Sequence, residues 1–148
     1  MRLYFSLAVF AALLSFFSCG GNTDSETGEK DSVIVKEPVI EYGFNLDSFQ
    51  VIRDTVQPDW TMSHMFSKYG ISQVDINLAA QLAADSTVGL KYVKEGVPFM
   101  ILAALGDTSP KAMYCVYPKN VVEFIVFDFR NDSVVVTKKE KEASVAEK

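Results

Sequence analysis

Hydrophobic and polar positions divide this 148-residue chain into four stretches. Residues 3–17 are an apolar run broken only by Ser6 and Ser15. Residues 20–37 are polar, with nothing strongly apolar before Val33, Ile34 and Val35. Such a composition cannot bury enough surface to order itself, and it predicts a tether. Between residues 41 and 137 the apolar positions recur with short periods, and from Lys138 onward the chain is charged again. Phe49, Val51 and Arg53 alternate with Gln50, Ile52 and Asp54, which predicts an edge-like strand. Gln57, Pro58 and Asp59 then make a turn. Met62, Met65, Phe66 and Tyr69 fall at i, i+3, i+4 and i+7, one face of a short helix over residues 61–69 with Thr61 as its N-cap. Gly70 supplies the left-handed stop. Ser72 with Asp75 resembles a capping box for a second helix, which runs to about Ala84 with Ile71 and Ile76 at the staple positions. Residues 98–105, 112–117, 121–129 and 133–137 read as strands, separated by turn chemistry at residues 106–110 and a hairpin turn at residues 130–132.

This order gives an α+β chain: a small βααβ unit, then short antiparallel strands. Residues 122–127 are apolar at both parities, so they form a central strand or one that packs on a partner. The expected organisation is a signal peptide at 1–18, a tether at 19–40, a first domain at 41–106, antiparallel strands at 107–137 that start a second domain, and a disordered tail at 138–148.

The N-terminus says where such a chain works. Arg2 precedes the apolar run, Ser18 closes it, and Cys19 follows. A basic start, a short apolar core and a small residue before the cut form an export signal. The run of about 15 residues is short of the roughly 20 a spanning helix needs. The segment resembles a bacterial lipobox, with Phe16 and Phe17 where Leu and a small residue are commoner. The resemblance implies cleavage before Cys19, a lipid on its sulfur, and a cell-envelope protein anchored to the outer or inner membrane. Stable anchoring takes more than one acyl chain. The net charge of −5 becomes −6 once Arg2 is removed, which argues against nucleic acid and against anionic lipid as partners. With Cys19 lipidated, Cys115 has no disulfide partner and reads as a small buried hydrophobe.

Residues 61–72, Thr-Met-Ser-His-Met-Phe-Ser-Lys-Tyr-Gly-Ile-Ser, look like the core of a LysM-type module, and residues 90–102 are similar to its closing turn and strand. The variant most similar is the opacity-associated protein A-type LysM-like domain that precedes the catalytic domain of lysostaphin-like (LytM-type) zinc metallopeptidases in Gram-negative bacteria. Stretches like residues 114–118, 122–129 and 132–136 follow in the same order in those proteins, so the resemblance covers about residues 47–137. It implies a glycan-binding groove in which Asp59, Trp60, Thr61 and Met62 face residues 84–90, Ser86 and Thr87 among them. The implied partners are peptidoglycan glycan strands or a peptidase catalytic domain, besides the membrane through the anchor. Trp60 and Tyr69 could stack on sugars, although the place of Tyr69 in the apolar stripe favours packing.

The same resemblance defines what is missing. Those peptidases hold zinc with an HxxxD motif and a later HxH motif. This chain has one histidine, His64, and Lys68 stands four residues after it. A histidine-rich zinc site with an open position cannot be built from it. No catalytic residue, metal or cofactor is therefore expected in this polypeptide. The reading is a non-catalytic envelope lipoprotein that binds peptidoglycan or regulates and positions a peptidoglycan metallopeptidase. One alternative is the front of a zinc endopeptidase whose catalytic domain lies beyond Lys148; another is an unrelated surface scaffold lipoprotein. In the peptidase reading a catalytic domain would cover residues 122–127, which predicts an exposed apolar patch or self-association without it.

Overall fold

The computed structural model describes residues 35–142. The expected signal peptide, the lipidation site Cys19 and the tether up to residue 34 lie outside the described residues, as do residues 143–148. The elements are β1 (Ile40–Glu41), β2 (Phe44–Asn45), a 3-10 turn (Leu46–Ser48), β3 (Gln50–Thr55), α1 (Met62–Ser67), α2 (Gln73–Ala84), β4 (Pro98–Ala103), β5 (Ala112–Pro118), β6 (Glu123–Asp128) and β7 (Val135–Glu140). Five strands form one antiparallel sheet in the order β3-β4-β5-β6-β7, and β1-β2 form a separate hairpin. The chain is α+β.

Strand register explains why both parities of residues 122–127 are apolar. Ile52, Ile101, Cys115, Phe127 and Val136 are consecutive cross-strand partners, so they form one row across all five strands. This row faces α1 and α2, whose Met65, Phe66, Ile76 and Ala79 fill the core above it. Phe66 meets Phe127 and Phe129 with ring centroids 5.0 and 5.1 Å away. The opposite face carries Met100, Leu102, Val116, Phe124 and Val126, also buried. Side chains alternate between faces, so a strand buried on both has no polar parity.

The second face is where the structure departs from expectation. It does not wait for another domain: the β1-β2 hairpin and the following turn lie on it, with Tyr42, Phe44, Leu46 and Phe49 packed there. Tyr42 meets Phe124, and Phe44 meets Tyr114, each at 4.8 Å. The hairpin reverses through Tyr42 (φ 53°) and Gly43 (φ 81°), two successive left-handed residues as a type I′ turn requires. Arg53 on the edge strand clamps it by donating from both guanidinium nitrogens to the two Glu41 carboxylate oxygens. The apolar patch anticipated over residues 122–127 is thus largely covered by the chain's own N-terminal segment, while Val121 and Val122 at the entry to β6 stay exposed.

Smaller shifts have local causes. β7 runs to Glu140, three residues into the segment read as tail, and begins at Val135 rather than Ser133. Residues 129–134 form a longer connection than the tight hairpin turn expected, because Phe129 and Val134 turn into the core. The sheet is continuous across the boundary expected at residues 106 and 107, since β4 pairs with β5.

Candidate functional site

Helix α1 starts where the sequence places its cap. The Thr61 backbone N–H donates to His64 Nδ1 at 3.1 Å, so the histidine serves as an acceptor for the helix entry and stays exposed. α2 starts with Ser72 Oγ accepting the Asp75 N–H at 3.1 Å. Between them Gly70, at φ 72°, takes the left-handed conformation that a residue with a Cβ resists. The Tyr69 carbonyl accepts the Ala112 N–H, which ties the bend between the helices to the start of β5.

A polar cluster fixes α1 against β3. Asp54 accepts from the Lys68 ammonium at 2.6 Å, from the Tyr69 hydroxyl at 2.7 Å and from the Thr55 N–H at 2.8 Å. Burial alone would raise the Asp54 carboxyl pKa, but these donors outweigh it and hold the pKa below the ordinary value. Burial, and then the Asp54 carboxylate, push the Tyr69 phenol up. Lys68 also sits 5.6 Å from the centroid of the Trp60 ring and 5.5 Å from that of Tyr69. Tyr69 is a core residue of this cluster, 6% exposed, and is not available to a ligand.

Trp60 is half-buried and opens onto a groove of about 280 Å³. It is lined by Trp60, Thr61, Met62 and Ser63 around the start of α1, by Gln73, Ile76, Asn77 and Ala80 of α2, and by Lys91, Tyr92 and Val93. Tyr92 is 81% exposed, so its ring is free to meet a ligand. A second groove of about 810 Å³ continues from Lys91 and Tyr92 and includes Ser86, Lys94, Tyr117 and Lys119.

Of the residues predicted from sequence, Trp60, Thr61 and Met62 share the first groove and Ser86 lies in the second. Asp59 lines neither; it is exposed and left-handed at φ 63°, a turn residue. Thr87 lines neither, because its N–H and hydroxyl both donate to Asp85 Oδ1 and close a local turn. Residues 91–93 share the first groove with Trp60, Thr61 and Met62, while Ala84, Ser86, Gly89 and Leu90 line the second. Tyr92 was missed: it sits in the matched stretch, but an isolated aromatic beside a turn carries no periodicity to mark it as exposed.

Chemistry elsewhere is sparse. Among the described residues no group of three or more His, Cys, Asp or Glu side chains could hold a metal ion. Cys115 is wholly buried, and burial pushes its thiol pKa up, so it is not poised as a nucleophile. Among the described residues no helix is long and apolar enough to cross a membrane.

No protein-family model matches the chain, and no curated protein matches it significantly. Among solved structures it is similar to the crystal structure of a zinc-containing peptidase from Vibrio cholerae, with 19% sequence identity and a TM-score of 0.48. The similarity covers 61% of this chain and 27% of that one, so the chain spans about a quarter of the peptidase's length.

Proposed function

We propose that this chain is a non-catalytic glycan-binding module of the cell envelope, held at a membrane through Cys19, and that its ligand is the glycan of peptidoglycan. The observation that carries the reading is that Trp60 and the exposed Tyr92 line one groove, together with the amides of Gln73 and Asn77. Flat aromatic rings suit the apolar faces of sugar rings, and amide side chains can both donate to and accept from hydroxyls. Helix α1 holds one ring in place through the Lys68–Asp54 contact, so part of the platform exists before a ligand arrives.

The test is retention of the chain from residue 20 onward on insoluble peptidoglycan, against the Tyr92→Ala variant. Tyr92 is largely exposed, so its loss should leave the unfolding midpoint unchanged while weakening retention about tenfold or more, the scale of one aromatic stacking contact. Equal retention of variant and parent, or no retention of the parent above an unrelated acidic domain, refutes the assignment.

A further inference from the structure

We infer that the second groove is a carboxylate-binding subsite, which takes the acidic peptide carried by the same glycan that sits on Trp60 and Tyr92. The inference rests on the glycan reading above and extends it to the substituent. The chain carries a net charge of −5, yet this groove is lined by Lys91, Lys94 and Lys119 and by no acidic residue. A local excess of positive charge on an acidic protein selects for anions near that groove.

The lysines are not equivalent. Lys119 is held on the groove wall: its ammonium donates to the Val88 carbonyl at 2.8 Å. It can approach there because residue 89 is glycine; a Cβ at that position would lie 3.1 Å from the Lys119 nitrogen. Glu123 stands 3.9 Å from that nitrogen, but its oxygens are already engaged by the Lys138 ammonium at 3.0 Å and the Asn120 amide at 2.8 Å. Among the described residues, Lys91 and Lys94 have no carboxylate partner within ion-pair distance.

Tyr117 adds a directed donor. It is buried at 2% exposure and lines the groove, and its oxygen accepts the Lys94 N–H at 2.9 Å. Its own hydroxyl proton finds no acceptor among the described residues, and burial keeps the phenol protonated. A buried hydroxyl donor in a groove that three lysines also line is what a carboxylate oxygen needs. Lys91 and Tyr92 line both grooves, so a sugar in the first and its acidic substituent in the second would be parts of one ligand. Peptidoglycan supplies that combination, since its amino sugars bear peptides that end in carboxylates.

The experiment titrates the chain from residue 20 onward by NMR with two probes: disaccharide-peptides released from peptidoglycan by a muramidase, and the same disaccharides after an amidase has removed the peptide. The expected result is binding about three- to tenfold tighter for the peptide-bearing probe at low salt, with the difference shrinking at high salt. The variant Lys94→Gln, altered at an exposed position that lines the second groove and not the first, should shrink that difference and keep the affinity for the peptide-free disaccharide. If the peptide-free disaccharide binds and the peptide adds nothing, the subsite falls and the glycan reading stands. If neither probe binds, both fall. Retention on phosphatidylglycerol vesicles, weakened in Lys94→Gln and without any preference for the peptide-bearing sugar, would overturn the subsite in favour of a lipid surface.

Discussion

The Asp54 cluster offers the sharpest test of how the groove is held, and Asp54→Ala is the perturbation. Three donors converge on this carboxylate, and they do not lose equally when it goes. The Tyr69 hydroxyl is buried in a residue 6% exposed, so it is left without a partner, at a cost of about 1–3 kcal/mol. The Lys68 side chain is 52% exposed, so its pair contributes only about 0.2–1 kcal/mol after solvent screening. The Thr55 N–H lies on an edge strand and can turn to water. The expected loss is therefore about 2–3 kcal/mol, most of it from one orphaned hydroxyl. Tyr69→Phe removes that hydroxyl, and in its background Asp54→Ala should cost no more than about 1 kcal/mol. The coupling in the double-mutant cycle should thus be about 1–2 kcal/mol.

Urea unfolding followed by the fluorescence of Trp60, the single tryptophan, measures all three variants. The same cluster predicts a pH dependence. The folded Asp54 pKa lies below the unfolded value of about 3.9, so the unfolded state binds more protons between the two. The stability that ionisation of Asp54 contributes is complete above the unfolded value and disappears as pH falls through the folded one. The gap between parent and Asp54→Ala should hold from neutral pH down to about pH 5 and narrow below about pH 4, where the neutral carboxyl can still accept the Tyr69 hydroxyl. An Asp54→Ala loss under about 0.5 kcal/mol, or an additive cycle, would show that Tyr69 and Lys68 find other partners and that the cluster does not brace α1.

Other outcomes follow from single sites. Phe44→Ala should remove about 2 kcal/mol, less than a core phenylalanine because the ring is only partly buried, and should raise the binding of an apolar dye to the uncovered sheet face. Gly70→Ala should destabilise by about 1 kcal/mol through backbone strain alone, since the added Cβ meets nothing closer than the Lys111 side chain at 3.5 Å; urea midpoints report it. Cys115 should resist an aromatic disulfide reagent in the folded chain and react at the rate of unfolding in denaturant, because it is wholly buried with its thiol pKa pushed up.

The elements that were legible in the sequence are those in which side-chain period and cap chemistry agree. Met62, Met65 and Phe66 share a face of α1, which ends at Ser67 rather than at residue 69; Tyr69, in the turn that follows, is buried with them, and Ser72 with Asp75 marks the start of α2 to the residue. The β1-β2 hairpin was not legible. Its strands are two residues each, too short for any alternation, and its turn is Tyr42-Gly43 rather than the Asn-Gly or Asp-Gly that signals a type I′ reversal. The end of β7 was hidden for a different reason. Lys138 and Lys139 read as a solvated tail, yet lysines are also what an edge strand carries to discourage further pairing. In the groove, Trp60, Thr61 and Met62 were singled out through the resemblance to a LysM-type module, and they share one lining. Tyr92 depends on a tertiary fact, that the segment after α2 folds back beside α1, and no local pattern encodes it.

The hairpin also constrains how the module can work. Residues 122–127 are apolar on both faces, which by itself asks for a covering partner. With Tyr42 against Phe124 and Phe44 against Tyr114, the chain provides that cover, and a second domain could use this face only by displacing two aromatic contacts and the Glu41–Arg53 clamp. The helical side is different: there α1, α2 and residues 91–93 leave an open groove beside an exposed aromatic ring. The polypeptide enters the fold through the hairpin, on the sheet face opposite the helices. The described chain therefore enters on one side of the sheet, while the groove of Trp60 and Tyr92 lies on the other.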